Sequence, residues 1–204
     1  METPAPVRPQ QQQPAEVRLL RAVLDGSDQA LLELSSLLPN NRIERAADHT
    51  LIIMPPTGSK TGNRNFELAL DIGIWIRTDG TGLGFDSSTG FRLPNGAVRS
   101  ADLAWVLRSR WDALTAQDQD RYAPLAPDFV LELRSPGDKL EDLEEKMAEF
   151  ITQGCRLGWL LDPLEGRAHL YRPSMDVQVL DRPRSLSGET VMPGLVVDLT
   201  RLWV

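Results

Sequence analysis

Pro127-Asp128-Phe129-Val130-Leu131-Glu132-Leu133-Arg134-Ser135-Pro136 is the stretch on which the fold turns. Phe129 to Leu133 is almost continuously apolar, the composition of a strand buried on both faces and therefore central in its sheet. Alternation puts Asp128, Val130, Glu132 and Arg134 on one of those faces. A carboxylate there costs several kcal/mol unless it is paired, hydrogen-bonded or bound to a metal. Ser135-Pro136 predicts a helix opened by a serine N-cap with proline at the first helical position, running to about Gln153 and stopped by Gly154. On that helix Leu140, Leu143, Met147, Phe150 and Ile151 form the apolar arc, and Lys146 falls about 40° beyond its edge, where it can lean over the sheet.

A second acid interrupts a second strand-like run. Asp102 stands in Ala101-Asp102-Leu103-Ala104-Trp105-Val106, thirty positions before Glu132. Two such interruptions point to one shared site, and the simplest shared ligand is a divalent cation. Magnesium takes hard oxygen ligands, and one or two carboxylates commonly hold it while waters and substrate phosphate complete the shell. Such an ion lowers the pKa of a bound water and polarises a phosphoryl group. A nearby cation would stabilise the transition-state oxygens, and Lys146 or Arg134 could supply it. Arg134 could act only electrostatically because its pKa lies above about 12, whereas Lys146 could serve either as a charge or as the water-orienting group.

Outward from this centre, Ala30, Leu31, Leu34 and Leu38 predict a helix over 28–38, ended by Pro39-Asn40-Asn41. Arg42 to Arg45 and Thr50 to Met54 read as strands of a hairpin. The loop from Pro55 to Gly62 leads into an amphipathic helix from about Asn63 to Arg77. Its Gly58-Ser59-Lys60-Thr61 segment is not a phosphate loop, because Ser59 and Met54 occupy the positions where that pattern needs glycine. Gly80 to Asn95 reads as turns flanking short strands, and residues 107–124 as a short helix and a connecting excursion. Trp159 to Leu161, Ala168 to Tyr171 and Val177 to Leu180 are further strands. The whole order describes an α/β or α+β sandwich.

Bulk properties restrict the function classes. The 204 residues, 41% of them hydrophobic, suffice for one domain over residues 25–204, preceded by a disordered Gln/Pro-rich tail over residues 1–24. A single cysteine, Cys155, excludes an intrachain disulfide and fits a reducing, cytoplasmic setting. One cysteine with His49 and His169 gives no zinc set at ligand spacing. No apolar run reaches the roughly eighteen residues of a membrane span. A net charge of -7 argues against broad nucleic-acid affinity. The charge is unevenly placed: seven basic residues stand against five acidic ones from Lys60 to Arg110, so a local basic face is compatible with it.

The run Pro127–Pro136, the later Lys146, and Gly158-Trp159-Leu160-Leu161-Asp162-Pro163 together resemble the Uma family of restriction endonucleases, within the PD-(D/E)XK phosphodiesterase superfamily. Met54-Pro55-Pro56-Thr57-Gly58, Thr61-Gly62-Asn63-Arg64-Asn65 and Phe85-Asp86-Ser87-Ser88-Thr89-Gly90-Phe91 resemble it as well, in order, over about residues 25–204. The resemblance implies a restriction-endonuclease-like mixed central sheet flanked by helices. It also implies magnesium, or manganese, held by Asp102 and Glu132, and hydrolysis of DNA phosphodiester bonds, with a homodimer as the assembly that double-strand cleavage suggests. Arg134 stands where the superfamily has lysine, and Ala101 where proline usually precedes the acid. Lys146 matches a lysine that the family uses from the following helix, and Glu67 matches a helix glutamate that serves many relatives as a third acid. Two other readings stay open: a non-catalytic binding or assembly module on the same scaffold, and a phosphodiesterase acting on small nucleotides.

Overall fold

A computed structural model describes residues 26–204. The predicted tail, residues 1–24, lies outside the described residues. Helical apolar spacing produces α1 (Asp28–Leu37), whose N-terminus is capped by Ser27 Oγ accepting from the Ala30 N–H. The predicted hairpin follows as β1 (Arg42–Arg45) and β2 (Leu51–Met54). Next comes α2 (Ser59–Asp79), which starts four residues earlier than expected. Gly62 N–H closes its first turn on Gly58 O, and Thr61 is buried there, so packing overrides the weak helix propensity of this glycine-containing start. Gly80, at φ 71°, ends it in the left-handed conformation that glycine adopts without strain.

The chain continues through β3 (Gly82–Asp86), β4 (Phe91–Arg92), β5 (Val98–Arg99), β6 (Leu103–Leu107), α3 (Arg108–Asp112), α4 (Ala116–Gln119) and β7 (Phe129–Leu133). It ends with α5 (Leu140–Thr152), β8 (Leu157–Asp162), β9 (Arg167–Tyr171), β10 (Gln178–Asp181), β11 (Ser185–Ser187) and β12 (Val196–Asp198). Six strands form a mixed sheet in the order β10-β9-β8-β7-β6-β3, with β7 and β8 parallel through the α5 crossover and the other neighbours antiparallel. A second sheet has the order β2-β1-β5-β4, and β11 pairs with β12. This is the mixed α/β architecture of restriction-endonuclease-like proteins, a central sheet flanked by helices.

The helix predicted from Ser135 begins later. Ser135 N–H and Oγ both donate to Asp138 Oδ2 at 2.7 Å, and Asp138 N–H returns to Ser135 O, so residues 135–138 close as a turn. Asp138 thereby engages both the N–H and the hydroxyl of the serine read as the N-cap, and α5 starts at Leu140.

Alternation along β7 splits the core into two layers. Phe129, Leu131 and Leu133 face Leu68 and Ile72 of α2 and the C-terminal Val191, Met192, Leu195 and Val197. Val130 belongs to the opposite layer, with Met147 and Phe150 of α5 and Phe91 and Leu93 beside the second sheet. Glu132 shares the parity of Val130, so it points into the space between β7, α5 and the second sheet. Gly158 on β8 leaves room for the Met147 side chain of α5, whose Cε would lie 2.5 Å from a Cβ there.

Candidate active site

Lys146 extends from α5 toward the parity face of β7 and is only 7% exposed. Its Nζ stands 2.7 Å from Glu132 Oε1 and 2.9 Å from Glu44 Oε1, and donates to Ser100 O at 2.7 Å. Glu132 and Glu44 are each 1% exposed. The helical-wheel position of Lys146 is thus used to bring a cation over the sheet rather than to pair with its own helix.

Asp102 does not lie within a strand, as the sequence suggested, but one residue ahead of β6. The antiparallel register pairs Leu103 with Leu131, so Asp102 falls at the level of Glu132. Its Oδ2 accepts from Leu133 N–H at 2.9 Å, which completes the ladder with a side chain where the strand has ended. Its Oδ1 accepts from Arg42 Nη1 at 3.0 Å. Arg42 comes from β1, with Nε 3.8 Å from Glu44 Oε1 and Nη2 donating to Met54 Sδ at 3.3 Å.

Glu44 is the carboxylate that the sequence reading missed. In Arg42-Ile43-Glu44-Arg45, alternation puts Arg42 and Glu44 on one face, but nothing in four residues with a single aliphatic side chain tells that this face is buried against another sheet. Once there, Glu44 Oε1 accepts from Ser100 N–H at 3.3 Å, and Oε2 lies 3.3 Å from Arg99 Nη1. Arg99 in turn pairs with Glu149 of α5 at 2.6 Å. The second sheet therefore delivers both an anion and a cation to the site.

Burial pushes the Glu132 carboxyl up to about 7; Lys146 and Arg42 pull it back, while Asp102 and Glu44 push with the burial. Burial opposes the charge on Lys146, but Glu132 and Glu44 outweigh it and hold the ammonium above its ordinary range. For Glu44 burial is likewise outweighed, here by Lys146, Arg42 and Arg99, and its carboxyl falls below the usual value.

Arg134 is placed elsewhere. Its Nη1 lies 2.7 Å from Asp162 Oδ2 at the end of β8 and 3.8 Å from Glu165, and its Nε reaches Asp138 O at 3.4 Å. Glu67 is exposed on α2, and the third carboxylate of the cluster is Glu44. The structure thus brings together Asp102, Glu132 and Lys146, adds Arg42 and Glu44, and turns Arg134 toward Asp162.

The donor chemistry suits a hard cation, since Asp102, Glu132 and Glu44 offer only carboxylate oxygens. Among the described residues no group of three or more His, Cys, Asp or Glu side chains is set to hold a metal ion. A cation held by the Asp102–Glu132 pair would rely on water and substrate for the remaining ligands, as magnesium commonly does.

The mixed sheet flanked by helices is a restriction-endonuclease-like fold. The chain belongs to the family described as "Uma2: Putative restriction endonuclease", whose model matches residues 28–200. It is similar in fold to a crystal structure described as "a putative nuclease belonging to DUF820" from Anabaena variabilis. The two are 20% identical with a TM-score of 0.67, and the match covers 79% of this chain and 89% of that one. No curated protein matches the chain.

Proposed function

We propose that the protein is a magnesium- or manganese-dependent endonuclease that hydrolyses phosphodiester bonds of DNA. Asp102 and Glu132 would hold the ion, which when bound supplies an activated water and polarises the phosphoryl group. The observation that carries this reading is the approach of the Lys146 ammonium to Glu132 at 2.7 Å, at the level of the sheet where Asp102 is locked to Leu133. Lys146, held charged by two carboxylates and a backbone carbonyl, is suited to stabilise developing negative charge rather than to accept a proton. Glu44 and Ser100 O fix its direction, and burial keeps water from weakening the field. Arg42, with 24% of its side chain exposed, is the cation of the cluster that reaches solvent and so can meet a backbone phosphate.

Cleavage of plasmid and single-stranded DNA with magnesium or manganese tests the proposal. Wild type should cut, and Asp102→Ala and Lys146→Ala should lose at least about a hundredfold, the usual scale for a group acting on transition-state charge. Equal activity in all three proteins would remove the site assignment. One observation favours a second reading, a non-catalytic module: Arg42 and Lys146 already pair with all three carboxylates, as in a structural ion-pair network. A wild type inert on every nucleic acid and unable to bind divalent ions would decide for it.

A further inference from the structure

The three carboxylates and two cations at the centre of the site are not equally held. Lys146 is enclosed, with two carboxylates and a backbone carbonyl as partners. Arg42 is half-buried, makes one close ion pair, to Asp102, stands at a longer 3.8 Å from Glu44, and spends its remaining contact on a thioether, a weak acceptor. Its field nonetheless falls on Glu132, Asp102 and Glu44 together. With all three carboxylates ionised, as a bound cation would require, Glu44, Asp102 and Glu132 set three negative charges against two positive ones from Arg42 and Lys146, and Arg99 is shared between Glu44 and Glu149. A doubly charged ion in place of Arg42 would close that deficit.

From this geometry we infer that Arg42 is the resident counter-ion of the site, which a divalent cation must displace from Asp102 in order to bind. The inference rests on the metal-dependent reading above and adds a competitor to it. The guanidinium keeps Asp102 and the buried carboxylates compensated when no ion is bound, and its side chain has the solvent access needed to leave. Lys146, enclosed and triply held, stays. Arg42 therefore weakens metal binding, in contrast to the carboxylates, and removing it should tighten the site.

Binding of manganese alone, followed by the electron paramagnetic resonance of the free ion, tests this on the full chain. Wild type should bind saturably, Glu132→Gln should not, and Arg42→Gln should bind at least about tenfold more tightly, as expected when a positive charge a few ångströms from a divalent ion is removed. Arg42→Lys, which keeps the charge, should stay near wild type. A second readout needs no variant to fold: in wild type with 15N-labelled arginine, magnesium titration should move the Arg42 side-chain resonance into the fast solvent-exchanging set. If wild type binds manganese but Arg42→Gln binds no more tightly, or the arginine signal is unmoved at saturating magnesium, the inference fails by itself. If neither wild type nor Arg42→Gln binds manganese, the metal-dependent reading fails and takes the inference with it.

Discussion

The Lys146 ammonium stands 2.7 Å from Glu132 Oε1, and both side chains are closed off from solvent. The same ammonium holds Glu44 of the other sheet, so one cation on α5 ties together carboxylates from β7 and β1. Breaking a buried pair from one side leaves uncompensated charge, which typically costs about 3–5 kcal/mol. Lys146→Met keeps most of the side-chain volume and should lose about that much stability in urea unfolding. A loss below about 1 kcal/mol would mean that the two glutamates do not depend on this lysine.

Glu132 should leave a mark on the pH dependence of stability in metal-free protein. Its carboxyl lies near 7 in the folded state, against an ordinary value of 4.5, with burial as the main cause. Between those values the folded chain binds more proton at this group than the unfolded chain, so the contribution is fully present below about 4.5 and is lost as pH rises through 7. Glu44, with a lowered carboxyl, works in the opposite direction at lower pH, losing its contribution as acid is added. Urea unfolding with chelator at pH 5, 6, 7 and 8 should show wild-type stability falling across this window relative to Glu132→Gln. Parallel curves for the two proteins would contradict a raised Glu132.

Asp128 pairs with Arg110 and Arg156, outside the Lys146 cluster, and should matter for folding alone. It is buried where β7 begins, its Oδ2 accepts from Leu107 N–H at 2.9 Å and lies 2.9 Å from Arg110, and Arg156 approaches Oδ1 at 3.6 Å. Asp128→Ala removes the acceptor of the half-buried Leu107 amide and the buried anion between two arginines, a loss of about 2–4 kcal/mol. Asp128→Asn should recover part of it, and manganese binding by the folded fraction should match wild type. A metal-binding defect in folded Asp128→Asn would place this residue in the site after all.

How far such a site can be read from sequence depends on the range of the forces that build it. β7 was legible because a five-residue apolar run leaves only one environment, and Lys146 because a helix has a fixed pitch and the apolar arc fixes its phase. Glu44 was not, because its partners lie far along the chain, Arg99 on β5 and Lys146 on α5, the latter 102 residues away in sequence. Asp102 was read within a strand because its apolar neighbours on both sides mask the strand end, which is set by the side chain itself capturing Leu133 N–H. At Ser135 two local options competed, helix cap and closed turn, and the Asp138 carboxylate decided for the turn.

Arg134 gives the sharpest separation between what a motif implies and what the geometry arranges. It stands where the resemblance implies a lysine, yet its guanidinium bonds Asp162 at 2.7 Å, and Asp162 is fully buried with its other oxygen accepting from Leu164 and Glu165 N–H. Arg134→Ala should cost about 1–3 kcal/mol by leaving that buried carboxylate without its cation, while the two amides still support it. Because Arg134 touches neither Glu132 nor Asp102 through any of these contacts, manganese affinity and DNA cleavage per folded molecule should stay within about twofold of wild type. Arg134→Lys, with a single point charge in place of the fork, should sit between the two in stability. Loss of cleavage in Arg134→Ala at wild-type stability would reverse the assignment and return this arginine to the reacting phosphate.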